Sequence, residues 1–245
     1  MYSIYQYGRM IADQVRTGSY SRALQRAVKP GCTVLDIGTG SGILALLACQ
    51  AGARRVYAVE HDDVIHLARQ VASANGLADR IDFIQARSTQ ISLPEPVDVV
   101  VSDLHGTLPL CFTSLQSLID ARRRLLAPGG VMIPQCESLR VAILEAPALY
   151  QEHLAPWRMD GLGVDLESVQ RVVVNDWYKA RVLPQQLLVE PQSWTHLDYS
   201  LLESPNVEGQ ARWTLERPGT AHGFAVWFDT VLFQDIAFSN APGQE

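Results

Sequence analysis

Asp36, Gly38, Gly40 and Gly42 sit in the stretch Val34-Leu35-Asp36-Ile37-Gly38-Thr39-Gly40-Ser41-Gly42-Ile43-Leu44. Three glycines at G-x-G-x-G spacing let a backbone turn sharply and lie against a ligand with no Cβ in between. The apolar residues before them, Thr33 to Ile37, read as a buried strand, and those after them as a helix starting near Ser41. A helix that starts there directs free N–H groups and a positive dipole end at the ligand. The dinucleotide fingerprint G-x-G-x-x-G would need glycine where Ile43 stands. Asp36, inside the strand, is the second difference from that fingerprint. Phosphate and nucleotide binders share a strand–glycine–helix turn, and a purely structural turn is the plain alternative.

Two further carboxylates occupy strand tips. Glu60 closes the apolar run Val56-Tyr57-Ala58-Val59, about 20 residues past the glycine loop, where α/β folds place an acceptor for ribose hydroxyls. Asp103 closes Val97-Asp98-Val99-Val100-Val101-Ser102 at the sheet edge where open parallel sheets gather ligands. It is the best-placed carboxylate for a substrate, against a structural cap. Near the start, Met10, Asp13 and Arg16 fall three apart, close to one helical face, with an Arg16–Asp13 pair as the simplest reading. The six histidines show no H-E-x-x-H or clustered Cys/His spacing, so no metal site is expected.

The elements that must position these residues follow from pattern. Tyr2 to Val28 reads as one or two helices stopped by Lys29-Pro30-Gly31. Helix 41–50 ends at Ala51-Gly52, and Asp62 or Asp63 is expected to cap a helix running to Ala74. Strand 81–85, strand 97–103, helix 114–126 and strand 131–134 complete an alternation that implies right-handed crossovers and a doubly wound parallel sheet. From Cys136 the texture changes. Residues 138–144, 187–189 and 225–229 alternate with period two and read as antiparallel β. Between them, 150–182 is less regular, with Trp157, Gly161, Gly163 and Trp177.

Composition agrees with an ordinary globular protein: 245 residues, 47% hydrophobic and 19% charged. A net charge of −6 argues against a broad nucleic-acid-binding face. The four cysteines (Cys32, Cys49, Cys111, Cys136) form no C-x-x-C pair and read as reduced thiols. The N-terminus lacks the basic and apolar regions of a signal peptide, and no apolar run reaches the roughly 18 residues of a membrane helix. The expectation is a cytoplasmic protein with no nucleic-acid or membrane partner.

Asp36 and its glycine loop resemble motif I of the class I S-adenosylmethionine-dependent methyltransferases. Met10 to Arg16 with the following Thr17-x-x-Tyr20, Gly52-Ala53-Arg54-Arg55-Val56 leading to Glu60, and Ser102-Asp103 resemble the protein arginine methyltransferases, and the likeness spans nearly the whole chain. The resemblance implies a Rossmann-like α/β domain with an N-terminal cap helix over residues 1–134. An antiparallel, barrel-like β domain would follow over 135–245, with a dimerisation arm around 150–182 and a homodimer as the assembly. It implies S-adenosyl-L-methionine as cofactor, held by Met10, Arg16, Asp36, Gly38, Thr39, Gly40, Gly42, Glu60, Ser88 and Thr89. Arg16 would grip the cofactor carboxylate. Asp103 would be the catalytic carboxylate, orienting a guanidino or amine nitrogen of a protein arginine or a small compound.

Three positions depart from that family. Its two substrate glutamates, spaced nine apart, fall here on Asp103 and Phe112, which leaves Glu137 or Glu145 as replacements to consider. Its adenine-side acid falls on Thr89, beside Ser88 and Gln90. Its Thr-His-Trp loop is not found before the chain stops after Phe238-Ser239-Asn240-Ala241-Pro242-Gly243, as expected of either a short barrel or a trimmed version of a longer protein. Thr195-His196-Leu197 and Ala221-His222-Gly223 are poor matches. The alternative readings are a class I methyltransferase acting on another small-molecule or protein acceptor, and a degenerate dimeric scaffold.

Overall fold

The computed structural model describes residues 2–110, 113–158 and 163–244. Five parallel strands form the first sheet: β1 (Thr33–Ile37), β2 (Arg55–Glu60), β3 (Ile81–Gln85), β4 (Val97–Ser102) and β5 (Leu126–Ile133), in the order β3-β2-β1-β4-β5. Parallel strands covered on both faces need continuous apolar runs, and β1 is buried at every position. Burying each Val, Leu or Ile there contributes about 1.5–3 kcal/mol. Ala127-Pro128-Gly129-Gly130, which falls between the expected helix 114–126 and strand 131–134, lies inside β5, where the register against β4 shifts and Gly129 takes φ +78°. The strand resumes after the irregularity, because a bulge absorbs the residues that cannot pair.

Helices α1 (Ile4–Ala12), α2 (Gln14–Ala27), α3 (Ile43–Gln50), α4 (Ile65–Ala74) and α5 (Ser114–Arg124) accompany this sheet. The buried residues of α2 are Ser19, Tyr20, Ala23, Leu24 and Ala27, one helical face. Two expectations fail in detail. Asp13 leaves helical dihedrals (ψ 97°), ends α1 and caps α2 by accepting from the Arg16 N–H at 3.0 Å, so Met10, Asp13 and Arg16 do not share one helical face. Neither Asp62 nor Asp63 caps α4 with its side chain. Their backbone carbonyls accept from Ile65 and His66, and the Asp63 carboxylate accepts instead from Gln85 at 2.9 Å.

The later chain carries a second sheet of four strands, β6 (Cys136–Leu144), β7 (Gln192–Asp198), β8 (Gly223–Phe233) and β9 (Ile236–Ser239), in the order β7-β6-β8-β9, with β8 and β9 antiparallel. Residues 187–189, expected as a strand, make one isolated bridge from Leu187 to Leu144. Pro184 and Pro191 bracket that run, and neither has an N–H to donate to a ladder.

The chain divides into two compact units. The first comprises residues 1–138, 196–208 and 228–239. In its core, Leu232 and Ile236 join Tyr20, Leu24, Val34, Leu44, Val99 and Ile133. The second comprises residues 139–195, 209–227 and 240–245. It packs Ala142, Ala225 and Trp227 with Leu144, Val182, Leu187 and Val189. Helices α6 (Pro147–Leu154) and α7 (Glu167–Val173) belong to it. No helix among the described residues is long and apolar enough to cross a membrane.

Candidate active site

Strand β1 carries Asp36 into the interior, where it is fully buried. Its Oδ2 accepts the Thr39 hydroxyl at 2.6 Å, and Oδ1 is buried without a hydrogen bond. Burial pushes the carboxyl up to about 7, against the hydrogen bond from Thr39. Gly38, Gly40 and Gly42 all take positive φ, which ordinary side chains avoid. Gly42 is the N-cap of α3 and supplies no side-chain cap, while the Asp36 carboxylate meets the Ala45 N–H in the first turn of that helix. A Cβ on Gly40 would come within 2.6 Å of Tyr7 Cε1, and one on Gly38 within 2.5 Å of Leu104 Cδ2. The loop is therefore glycine for close approach as well as for conformation.

Glu60 ends β2 and is buried beside the loop. Its Oε2 accepts from the Gly40 N–H at 3.1 Å, and its Oε1 from the His61 and Asp62 N–H groups at 2.8 and 3.0 Å. Oε1 also lies 3.0 Å from His61 Nδ1, whereas Oε2 has a single donor and keeps an acceptor position for a hydroxyl. The Tyr7 phenol beside it is pushed up to about 12, by burial first and the Glu60 charge second.

Asp103 follows β4 and Arg16 projects from α2. Arg16 Nε donates to Asp103 Oδ2 at 2.6 Å, and its Nη2 is bonded to the same oxygen. Both side chains are about one-fifth exposed. Burial works against the Arg16 charge, but Asp103 outweighs it and holds the guanidinium protonated. The structure thus gives the Arg16 guanidinium to Asp103, while Asp13 takes only its backbone N–H.

Of the remaining expected residues, Met10 is partly buried near the end of α1. Ser88 is buried and Thr89 exposed in a short 3-10 turn. Phe112 lies outside the described residues. Glu145 is committed to the Arg217 guanidinium at 3.0 Å and the Thr220 N–H at 2.8 Å.

Sequence reasoning missed His105. It sits two residues past Asp103, 5% exposed, with Glu137, Tyr20 and Asp103 around it. The signal was its position on the same strand-edge loop as Asp103. Glu137, considered as a replacement carboxylate, is fully buried and ion-paired with this histidine.

The comparisons agree with this geometry. Residues 17–134 match the family described as Ribosomal protein L11 methyltransferase (PrmA). The chain is 32% identical over 241 residues to a probable protein arginine N-methyltransferase 6 of Arabidopsis thaliana, covering 95% of this chain and 55% of that protein. It is 34% identical over 252 residues to the protein arginine N-methyltransferase 6 of Xenopus tropicalis, covering 96% and 74%. It superposes on the Trypanosoma brucei PRMT1 enzyme–prozyme heterotetrameric complex with AdoHcy at TM-score 0.82, with 25% identity over 98% of this chain and 78% of that one. It superposes on Arabidopsis thaliana protein arginine methyltransferase 10 at TM-score 0.79, with 29% identity over 99% and 79%. The chain spans between about half and three-quarters of the length of these relatives. An acidic strand, a glycine loop and a carboxylate at the edge of β4, in a chain this similar to those enzymes from end to end, make it a member of the protein arginine N-methyltransferase family.

Proposed function

We propose that this chain transfers a methyl group from S-adenosylmethionine to a guanidino or amine nitrogen, with a protein arginine side chain as the leading acceptor. The observation that carries the reading is the Arg16–Asp103 pair, a cation and a carboxylate meeting at the strand edge beside the glycine loop.

The residues present fit the cofactor. The unpartnered Asp36 oxygen, the positive-φ glycines and the remaining acceptor position on Glu60 make a cradle for a polar, nucleoside-bearing ligand. Asp36 and Thr39 order the loop, Glu60 takes ribose hydroxyls, and Ser88 and Thr89 face the base with hydroxyls in place of an acid. Met10 packs near the sulfonium, and Arg16 provides a forked cation for a carboxylate. When bound, the cofactor supplies an electrophilic methyl whose thioether leaving group needs no proton. The protein's task is then to orient the nucleophile and exclude water. Asp103 does the orienting, drawing positive charge away from the attacking nitrogen.

Phenylalanine at position 112 supports a second reading, in which the acceptor is a different small molecule or protein nucleophile. Incubating the protein with methyl-labelled S-adenosylmethionine and arginine-rich peptides, free arginine or a cell lysate decides between them. Label on a guanidino nitrogen, lost in Asp103→Asn, supports the first reading. Label elsewhere supports the second. Failure to bind S-adenosylmethionine at all would leave a scaffold.

We also infer a homodimer and a cytoplasmic location. Val164, Val172, Trp177 and Tyr178 are exposed around the expected arm. In the first unit, Ile4, Tyr7, Ile11, Ile43, Leu67 and Val71 line an apolar cavity of about 190 Å³. Exposed apolar surface of this kind marks protein contacts. Cys32, Cys49 and Cys136 are free, as in a reducing compartment.

A further inference from the structure

A run of buried polar groups leads inward from Asp103, and cofactor binding gives it no task. Nδ1 of His105 is ion-paired with Glu137 Oε1, and Glu137 Oε2 accepts the Tyr199 hydroxyl. The other ring nitrogen, Nε2, lies 2.7 Å from the Tyr20 hydroxyl and 3.7 Å from Asp103 Oδ1. That Asp103 oxygen is buried without a hydrogen bond. Phe228 stacks on the imidazole at 5.2 Å between centroids and Phe238 meets it edge-on at 6.1 Å, so the ring is pinned. A buried carboxylate and imidazole are costly to keep unless they serve each other.

The cluster accommodates two protonation states with no heavy-atom movement. As imidazolium, His105 donates from Nδ1 to Glu137 and from Nε2 to the Tyr20 oxygen, while Tyr20 donates to the Ser102 carbonyl at 2.8 Å. As the neutral Nδ1–H tautomer, His105 accepts at Nε2 from the same Tyr20 hydroxyl, whose hydrogen turns away from Ser102. Only a hydroxyl hydrogen rotates.

The geometry points to His105 as the positioning residue that takes up, through Asp103, the proton an acceptor nitrogen loses when it is methylated, with Glu137 balancing the charge. The inference rests on the methyl-transfer reading. The nitrogen forms a bond to carbon as the C–S bond breaks, its electron pair staying on sulfur. The N–H proton passes to the Asp103 carboxylate and then to the lone pair on Nε2. Asp103 returns to its anionic form, and His105 becomes an imidazolium beside Glu137 until it releases the proton to solvent. For this transfer the Tyr20 hydrogen turns back to the Ser102 carbonyl, freeing the Nε2 lone pair. The Asp103 carboxylate must turn to close the 3.7 Å gap, the one heavy-atom movement the step requires.

The charged and titratable groups facing the ring are Glu137 from β6, Asp103 from the edge of β4, and Arg16 and Tyr20 from α2. Tyr199, beyond β7, reaches it through Glu137, and β8 and β9 present only phenylalanines. Burial works to lower the pKa of His105, and Glu137 outweighs it by charge and hydrogen bond, leaving it raised above the ordinary histidine value. The base form therefore appears only as pH rises through that raised value, and kcat rises with it.

Two readouts test this in the full chain: the pH profile of kcat, and the titration of His105 followed by imidazole ¹⁵N NMR, its signal identified by its loss in His105→Gln. Glu137→Gln keeps the shape and removes the charge, so both the NMR titration and the acid limb of kcat should move together to lower pH. His105→Gln should lower kcat by about 10²-fold, the lower end of the range for a lost general base, flatten that limb and leave acceptor KM nearly unchanged. A Glu137→Gln titration that does not move, or one that moves while the kcat limb stays, overturns the proposal. If His105→Gln does not fold, the Glu137→Gln pair of measurements decides alone. A wild-type chain that binds S-adenosylmethionine but methylates nothing sinks the methyl-transfer reading, and the relay with it.

Discussion

Arg16 and Asp103, 87 residues apart, meet at a single carboxylate oxygen, Oδ2. In the proposed reading one grips the cofactor and the other the acceptor, and the two subsites would then share a charge. Asp103→Asn releases the Arg16 guanidinium. It should cut methyl transfer by about 10²–10³-fold, as when a site loses a group aimed at developing charge, while S-adenosylmethionine binding by calorimetry is retained. Arg16→Lys removes the forked contact and should weaken that binding by about 1.5–3 kcal/mol, a lost hydrogen bond to a charged group. Unchanged affinity in Arg16→Lys would show that the guanidinium belongs to Asp103 alone.

Asp36 makes stability depend on pH. Its folded carboxyl titrates near 7, above its ordinary value of 3.8, so between these values the native state holds a proton that the unfolded state has lost. Asp36 therefore subtracts stability as the pH rises from about 4 to about 7, by about 4 kcal/mol in all. Asp36→Asn should be more stable than the parent at pH 8, lose that part of the pH slope in urea titrations, and bind S-adenosylmethionine more weakly. Parallel slopes for the two proteins would count against a buried, titrating Asp36.

Gly40 takes φ +53° with the Tyr7 ring where a Cβ would go. Gly40→Ala should cost about 1–2 kcal/mol from backbone strain and contact together. Tyr7→Ala in the same chain should return part of that loss. A double-mutant cycle with no coupling would separate the ring from the loop.

Asp13 ends one helix and begins the next, and its carboxylate accepts from the Arg16 N–H. Asp13→Ala should cost about 1 kcal/mol as a lost N-cap. Because α2 carries Arg16, the same change should also weaken cofactor binding. Thermal denaturation and calorimetry read the two effects separately.

If the proposed homodimer forms through residues 150–182, removing them should give a monomer by light scattering. A mass that stays dimeric would place the contact elsewhere.

The parallel sheet was legible in the sequence because strands covered on both faces need mostly apolar runs, as in Val34-Leu35 of β1 and Val99-Val100-Val101 of β4. The glycine loop was legible because three positive-φ positions in five residues leave little choice but glycine. Contacts between distant residues were not. Arg16 had a near partner in Asp13 and an expected one in the cofactor, and no local pattern points 87 residues ahead. His105 and Glu137 carry no period or spacing that pairs them; the fold alone brings them together. Strand β7 escaped notice because Gln192 to Asp198 alternates weakly, with one buried position, Leu197. The run 187–189 is apolar at all three positions yet forms no strand. Its pairing with β6 is limited to the Leu187–Leu144 bridge and the Leu188 N–H to the Ile143 carbonyl at 2.8 Å, and Pro191 has no N–H to extend it.

Leu232 and Ile236 lie in the same core as Tyr20, Leu24 and Val34. On a ribosome these two residues are made long after β5 has emerged. Until then, the surface they cover on the nascent methyltransferase unit stays bare, open to chaperones and self-association. Translation stalled between β5 and β8 should therefore yield an unfinished, protease-sensitive chain, and resistance should appear only once β9 has cleared the exit tunnel.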